Sequence, residues 1–193
     1  MLNEKSPTLP NIRTSTNSLK KPIISTVSST QTLLSIIIPT YQEEKILPIL
    51  KNVYTKELKD KYNFEVIISD GGSTDKTLEI AKEFADKIYV HKENRRQTIA
   101  EGRNKGAELA QGCVLIFINA DTIPKDLDIF FSYIRNWADN KNSPYQALCC
   151  WVYSLPQERK FRDFFFYSFH NNYIRFLNFI GIGMGRGECQ IIR

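Results

Sequence analysis

Three polar clusters in this chain of 193 residues carry side chains that could bind an anionic ligand together with a cation. Each follows an apolar run, and their sequences are PTYQEE at 39–44, DGGSTD at 70–75 and NADTIP at 119–124. Carboxylate and amide oxygens suit a divalent cation that is shared with substrate phosphates, and paired glycines let the backbone approach a ligand closely. If the apolar runs are neighbouring parallel strands, all three clusters meet at the carboxyl edge of one sheet.

The carboxylate of Asp121, in the third cluster, is the most informative of these side chains. It follows closely on CVLIFI at 113–118, where an unpaired carboxylate is costly unless it meets water, a donor or a cation. A divalent cation bound to Asp121 is one consistent explanation. The other is that Asp121 or Thr122 caps a helix after Pro124. Asp70 carries the same ambiguity, because Asp-Gly-Gly-Ser is also ordinary turn chemistry.

The elements that position the clusters can be read from composition and periodicity. The strand-like runs are LLSIIIP at 33–39, FEVIIS at 64–69, IYV at 88–90 and CVLIFI at 113–118. Helical patterns lie between them at 43–54, 73–85 and 98–112, the second opening with Ser73 and Asp75 as candidate caps. CVLIFI is apolar at every position, which is typical of a parallel strand covered on both faces. The order predicts an α/β fold with a doubly wound, mostly parallel sheet and helices on both faces.

The charge balance argues against a nucleic-acid partner. Lys and Arg number 26 and Asp and Glu 21, so the formal net charge is +5. Residues 1–32 hold four basic residues and one acidic residue, which leaves only +2 for 33–193. This distribution gives no general basic footprint for a nucleic acid. Since residues 1–32 are rich in Ser and Thr and poor in aromatic residues, they are predicted to be a flexible basic tail before one domain.

The cysteines and the apolar segments predict a compartment. Cys113, Cys149, Cys150 and Cys189 form no CxxC pair and follow no secretory signal, so free thiols in a reducing compartment are expected. No uninterrupted apolar run is long enough to cross a membrane. We therefore expect a cytoplasmic protein.

The three clusters together resemble the family 2 nucleotide-sugar glycosyltransferases, which have the Rossmann-like GT-A fold. The residues that carry the resemblance are SIIIPTYQEE at 35–44, EVIISDGGSTDKT at 65–77 and GRNKGAELAQGCVLIFINADTIP at 102–124. The resemblance is close over 33–124, which would be the nucleotide-sugar-binding part. It is looser over 125–193, which would be an incomplete acceptor part.

The resemblance also implies roles for individual residues. The nucleoside pocket would be bordered by Pro39, Thr40, Tyr41 and Glu43. Asp70 would hydrogen-bond the nucleobase, uracil or guanine, and Arg103 and Asn104 would lie near the nucleotide. Asn119 and Asp121 fall where the family carries its DxD motif, so Asn119 would face the ribose and Asp121 would bind Mn²⁺ or Mg²⁺. Asn119 replaces the first Asp of that motif, so metal binding rests on Asp121 alone.

A family member of this kind transfers a sugar from a UDP- or GDP-linked donor to a saccharide or lipid-linked acceptor, as in cell-envelope polysaccharide or glycolipid synthesis. The transfer is expected to be inverting and metal-assisted. The family usually follows a strand like GECQIIR at 187–193 with a Glu-Asp motif that supplies the catalytic base, and here Arg193 is the last residue. The chain is therefore expected to be truncated before its base, and we assign no catalytic residue.

Two alternatives to an active transferase follow from the same features. Asn119 and the absent base motif leave open a noncatalytic nucleotide-binding or scaffold module. A nucleotidyltransferase is less consistent, because PTYQEE lacks the Gly-rich basic loop with which such enzymes usually begin. Asp163 and Glu188 are interpreted as solvated surface charges rather than as a base.

The aromatic segment FRDFFFYSFHNNYIRFLNFIG at 161–181 has two interpretations. It could be an interfacial helix on the inner face of a membrane, touching it through 161–180, which suits a lipid-linked acceptor. It could instead be a helix that covers the sheet or meets the missing C-terminal portion, and we favour this second interpretation because core helices also carry wide apolar faces. GIGMGRG at 181–187 is interpreted as a flexible loop near the acceptor.

Overall fold

A computed structural model describes residues 33–154 and 160–193. The tail predicted at 1–32 lies outside the described residues. One six-stranded sheet runs through the molecule in the order β3-β2-β1-β4-β6-β5. Its strands are β1 Leu34–Thr40, β2 Phe64–Asp70, β3 Lys87–Val90, β4 Val114–Ile118, β5 Ala147–Cys149 and β6 Cys189–Ile192. The strands β1 to β4 are parallel, whereas β6 is antiparallel to both β4 and β5. The predicted mostly parallel α/β sheet is confirmed.

Within the described residues, six helices accompany the sheet: α1 Leu47–Val53, α2 Lys56–Tyr62, α3 Thr77–Ala81, α4 Ile99–Leu109, α5 Leu127–Asp139 and α6 Phe161–Phe179. The prediction at 98–112 is confirmed by α4, which begins after a capping box between Thr98 and Glu101. The helix α2 was not predicted separately.

The helix predicted at 73–85 is wrong at its start, since α3 begins only at Thr77. Ser73 and Asp75 are used by loop contacts instead. The Ser73 hydroxyl donates to Asp70 and accepts from the Gln42 amide, and Asp75 accepts from Glu44. The tertiary contacts of the loop therefore override the local capping signal.

Helices cover both faces of the sheet because the central strands are apolar on both. On one face Ile36 and Ile38 of β1 belong to a core that includes residues of α1, α2, α3 and α5, with Phe131 of α5 fully buried. On the other face Ile37 packs against α4. Gly106 makes this approach possible, because a Cβ built there would lie 2.4 Å from Cγ2 of Ile37.

This arrangement creates a crevice between β1 and β4. The chain runs outward from β1 to β2 and β3 with helices on one face, and then returns through α4 on the other face to place β4 beside β1. In an open α/β sheet, ligands bind where the strand order reverses in this way, beyond the carboxyl ends of the strands. The register pairs Thr40 with Asp70, so β1 and β2 end level at this crevice.

Candidate functional site

The three clusters meet at the carboxyl ends of β1, β2 and β4. We call residues 40–46, 70–77 and 119–122 together the polar edge. Carboxylates from all three segments interact there: burial raises the pKa of the Glu43 carboxyl, and the negative charges of Asp121 and Asp75 raise it further. The sequence-based expectation that the clusters converge is therefore supported by the electrostatics of the site.

Asp70 is fully buried and is saturated with hydrogen bonds from the fold itself. Its Oδ1 accepts from the backbone amides of Gly72 at 2.9 Å and Ser73 at 2.7 Å. Its Oδ2 accepts from the hydroxyls of Ser73 at 2.6 Å and Thr40 at 3.1 Å. A carboxylate has about four lone-pair sites, so these donors leave little capacity for a ligand. Asp70 holds the turn after β2 against the end of β1, and its predicted bond to a nucleobase stays a prediction.

Gln42 joins the first two segments of the polar edge, and the sequence analysis did not single it out. Its Oε1 accepts from the amides of Thr74 and Asp75, each at 3.2 Å, and its Nε2 donates to the Thr74 hydroxyl at 2.9 Å. Its backbone φ is 59°, a left-handed conformation that is unusual for a non-glycine residue. A side chain with both donors and an acceptor among turn residues was the only signal that could have identified it.

Gln42→Gly should weaken binding of a nucleoside diphosphate about fivefold to tenfold, the equivalent of roughly one lost hydrogen bond in the polar edge. Glycine accepts the left-handed backbone, so the midpoint of thermal unfolding should change little. Asn63→Gly is a matched control, because Asn63 also has a positive φ, 46°, but precedes β2 at the opposite end of the strand. Calorimetric titration of both variants with a nucleoside diphosphate would measure the effect of the contacts between Gln42 and the turn after β2. Equal affinity of the two variants would contradict the prediction.

Tyr41 forms an aromatic surface at the polar edge. Its ring is 44% exposed, and a Cβ built on Gly71 would lie 3.3 Å from its Cδ2, so the turn after β2 packs beneath it. The guanidinium of Arg96 lies 5.4 Å from the ring centroid in a cation–π contact. An exposed aromatic ring beside a cation can stack a planar base, and Arg96 was not identified from the sequence.

Asp121 is exposed, and its Oδ1 accepts from the Thr122 hydroxyl at 3.3 Å. The alternative that Asp121 or Thr122 caps the following helix is wrong. The N-cap of α5 is Asp126, whose Oδ1 accepts from the amide of Ile129 at 2.9 Å. The carboxylate of Asp121 is thus left facing solvent at the crevice.

The polar edge fits a divalent cation that takes most of its ligands from elsewhere. Within 33–154 and 160–193, no three His, Cys, Asp or Glu side chains come together as a preformed metal site. Mg²⁺ is usually held by one or two carboxylates together with phosphate oxygens and water. The exposed Asp121, with Glu43 close enough for its pKa to respond, supplies that hard-oxygen donor set.

Arg103 ties the end of β4 to the segment before β6. Its Nη2 donates to Oδ1 of Asn119 at 2.9 Å and also to the carbonyl of Gly187. The backbone N–H of Asn119 in turn donates to the backbone carbonyl of Glu188 at 3.0 Å. The buried Nε of Arg103 has no hydrogen-bond partner within the described part of the chain. Arg103 is therefore placed to orient Asn119 and the segment from Gly187 to Glu188 together.

The remaining predicted site residues have mixed positions. The Thr40 hydroxyl donates its hydrogen bond to Asp70. Pro39 packs against α4, since its Cβ would lie 3.4 Å from a Cβ built on Gly102. Asn104 is exposed on α4. Their places around a bound nucleotide stay predictions.

Glu188 is not the solvated surface charge that the sequence suggested. It pairs with Arg186, whose side chain is only 6% exposed and whose Nε donates at 3.2 Å. The hydrogen bonds from Arg186 hold the pKa of Glu188 below its ordinary value, which makes it a weak proton acceptor. Asp163 has a structural role, since its carboxylate accepts from the Lys160 amide at the start of α6.

The fold and this crevice define a GT-A type α/β domain. Residues 35–160 match the family described as Glycosyl transferase family 2, so the chain belongs to that family. Among solved structures, a mannosyltransferase from Pyrobaculum calidifontis in complex with GDP-Man and Mn²⁺ is similar in fold, with a TM-score of 0.56 and 21% identity over 85% of this chain and 45% of its own. Glucosyl-3-phosphoglycerate synthase from Mycobacterium tuberculosis, in complex with UDP, has a TM-score of 0.57 at 14% identity, covering 83% of this chain and 56% of its own.

Curated relatives match about half of the chain. Glycosyltransferase AglE of Haloferax volcanii is 34% identical over 101 residues, 51% of this chain and 33% of the relative. Validoxylamine A glucosyltransferase of Streptomyces hygroscopicus subsp. limoneus is 33% identical over 94 residues, 47% of this chain and 21% of the relative. The matched region thus spans between a fifth and a third of the length of these relatives.

Proposed function

We propose that this chain provides the donor-binding part of an inverting, metal-assisted glycosyltransferase. The donor would be a UDP- or GDP-linked sugar and the acceptor a saccharide or a lipid-linked molecule, with membrane contact through 161–180. The observation that carries the proposal is that Glu43, two residues from the exposed ring of Tyr41, lies within electrostatic range of both Asp75 and Asp121 at the crevice between β1 and β4. An aromatic surface next to a cluster of carboxylates suits a nucleoside diphosphate bound with a cation.

In this proposal the chain's own residues bind and orient the donor. Tyr41 offers its ring to the base, and Gln42 and Asp70 hold the surrounding turns in place. The oxygen of Asn119 is held by Arg103, which leaves its amide hydrogens for a ribose hydroxyl.

Asp121, with Glu43 beside it, would hold Mn²⁺ or Mg²⁺. The related mannosyltransferase structure is in complex with Mn²⁺ and GDP-Man. When bound, the ion would supply Lewis-acid neutralisation of charge on the leaving diphosphate. The acceptor hydroxyl needs a base within hydrogen-bonding reach, and none of the residues above is assigned that role.

Titration calorimetry with UDP and GDP tests the proposal. One of the two should bind at least about tenfold more tightly with Mn²⁺ than with a chelator, a gain of roughly 1.4 kcal/mol. Uridine and guanosine are the matched controls, since they lack the diphosphate and should show no Mn²⁺ effect. No binding of either diphosphate would contradict the donor site. Binding of the sugar donor without any Mn²⁺-dependent hydrolysis of it would favour the noncatalytic nucleotide-binding alternative.

A further inference from the structure

The outer face of α6 is covered by exposed aromatic rings. We define the aromatic face by the side chains that are 48–86% exposed along this helix: Phe161, Phe164, Phe165, Phe166, Phe169, Tyr173, Phe176 and Phe179. The inner face is different, because Asn171, Ile174 and Leu177 are buried at a spacing of three residues. Ile174 and Leu177 are not among the described core residues on either face of the sheet, and the interpretation of this segment as a helix that covers the sheet leaves its exposed outer face unexplained. A contiguous apolar surface of this kind marks an interaction site.

The charges around the aromatic face are mainly positive. Lys160, Arg162 and Arg175 are exposed on or next to it. Between 160 and 186 the only carboxylate is that of Asp163, and it accepts a hydrogen bond from the Lys160 amide. Three basic residues against one acid, interspersed with aromatic rings, are complementary to the headgroups of an anionic bilayer.

Two more exposed aromatic residues lie in a segment that contacts α6. Trp151 and Tyr153 are about half exposed, and their segment is tied to the inner face of α6 by a hydrogen bond from Asn171 Nδ2 to the Val152 carbonyl at 3.1 Å. Trp and Tyr are the residues enriched at the level of lipid headgroups. No helix of the described residues is long and apolar enough to cross a bilayer. The exposed aromatic residues are thus suited to the boundary between water and the lipid bilayer.

The aromatic face is connected to the polar edge through a short loop. Asn178 of α6 bonds both the amide and the carbonyl of Met184, at 2.7 and 2.9 Å, so the loop after α6 is fixed to the helix. Exposed Ile182 and Met184 lie in this loop, which continues to Gly187 and its bond from Arg103. A membrane that contacts α6 would therefore lie next to the loop that Arg103 connects to the end of β4.

We propose that the aromatic face binds the surface of an anionic lipid bilayer and that the acceptor is a lipid-linked molecule presented there. The acceptor part of this statement rests on the proposed glycosyl transfer, whereas the membrane contact does not.

Vesicle flotation tests the contact with the chain of 193 residues. It should bind vesicles of phosphatidylcholine with about 30% phosphatidylglycerol at about 0.1 M salt, and at least about tenfold more weakly to phosphatidylcholine alone or at about 1 M salt. Phe165→Ser combined with Phe169→Ser should reduce binding at least about tenfold. Arg162→Gln combined with Arg175→Gln should remove most of the preference for the anionic lipid.

Ile129→Ser combined with Tyr133→Ser is the matched control, because these side chains are equally exposed but lie on α5. This control should bind vesicles like the parent chain. Absence of vesicle binding, or equal loss in the α5 control, would overturn the proposal. Light scattering could instead show a dimer that the Phe165 and Phe169 substitutions convert to a monomer and that lipid does not affect. That result would also overturn the proposal, because a second copy of the chain would then cover the aromatic face.

Nucleotide titration of the same variants separates the two proposals. The Phe165 and Phe169 changes should leave UDP or GDP affinity unchanged. Vesicle binding without nucleotide binding would remove the glycosyltransferase proposal alone, and nucleotide binding without vesicle binding would remove the membrane contact alone.

Discussion

Asp121→Asn should abolish the gain in nucleoside diphosphate affinity that Mn²⁺ produces, and it should slow turnover of the sugar donor about 100-fold or more. The amide keeps the shape of the side chain but loses the charge that a cation needs. Neutralisation of the leaving diphosphate by a bound ion is worth several kcal/mol in a transition state, and about 1.4 kcal/mol corresponds to a factor of ten in rate. Calorimetric titrations with Mn²⁺ and with a chelator, together with assays of donor hydrolysis, measure both effects.

The change in diphosphate affinity that Asp121→Asn causes in the absence of metal distinguishes this prediction from a general loss of binding. Because Asp121 repels the diphosphate when no cation is present, Asp121→Asn in chelator should bind as tightly as the parent chain or slightly more tightly. Asp60→Asn is the charge-matched control, since Asp60 is an exposed carboxylate on α2. It should leave the Mn²⁺ gain unchanged. A full Mn²⁺ gain in Asp121→Asn would show that the cation is held elsewhere or is not required.

Asp70→Ala should lower the free energy of unfolding by about 3–5 kcal/mol, a large fraction of the stability of a typical domain. The substitution removes the acceptor for four hydrogen bonds, from the amides of Gly72 and Ser73 and the hydroxyls of Ser73 and Thr40. Asp70 and Thr40 are both buried, so the Thr40 hydroxyl in particular would have no ready replacement partner from water. Urea unfolding followed by circular dichroism gives the change.

Asp126, a carboxylate that accepts a single backbone hydrogen bond, is the control for the loss of stability in Asp70→Ala. Asp126 caps α5 through a single bond to the amide of Ile129, so Asp126→Ala should cost only about 1 kcal/mol. Where Asp70→Ala remains folded, its diphosphate affinity should also fall, because the turn after β2 loses its anchor. A stability loss no larger than that of Asp126→Ala would show that the four bonds are replaceable, and would return Asp70 to a purely ligand-binding role.

Much of the fold could be predicted because its signals are local. The four parallel strands, the helix at α4 and the convergence of the three clusters follow from apolar runs, a capping sequence and the geometry of α/β sheets. Predictions were less accurate where one segment competes for another segment's hydrogen bonds. The first helix starts at Leu47 rather than at Glu43, and the Glu43 and Glu44 amides donate to Thr77 and Asp75 across the polar edge.

By itself, the sequence determined the class of fold, the family and the edge of the sheet at which chemistry must occur, since periodicity and residue type express these directly. Only the tertiary structure decided which atoms remain available there. The Asp70 carboxylate makes four hydrogen bonds within the fold, Gln42 and Arg103 each join two segments, and the aromatic rings of α6 are exposed. The physical reason is that hydrogen-bond capacity and exposure depend on which distant residues arrive beside a side chain, and local sequence does not specify that.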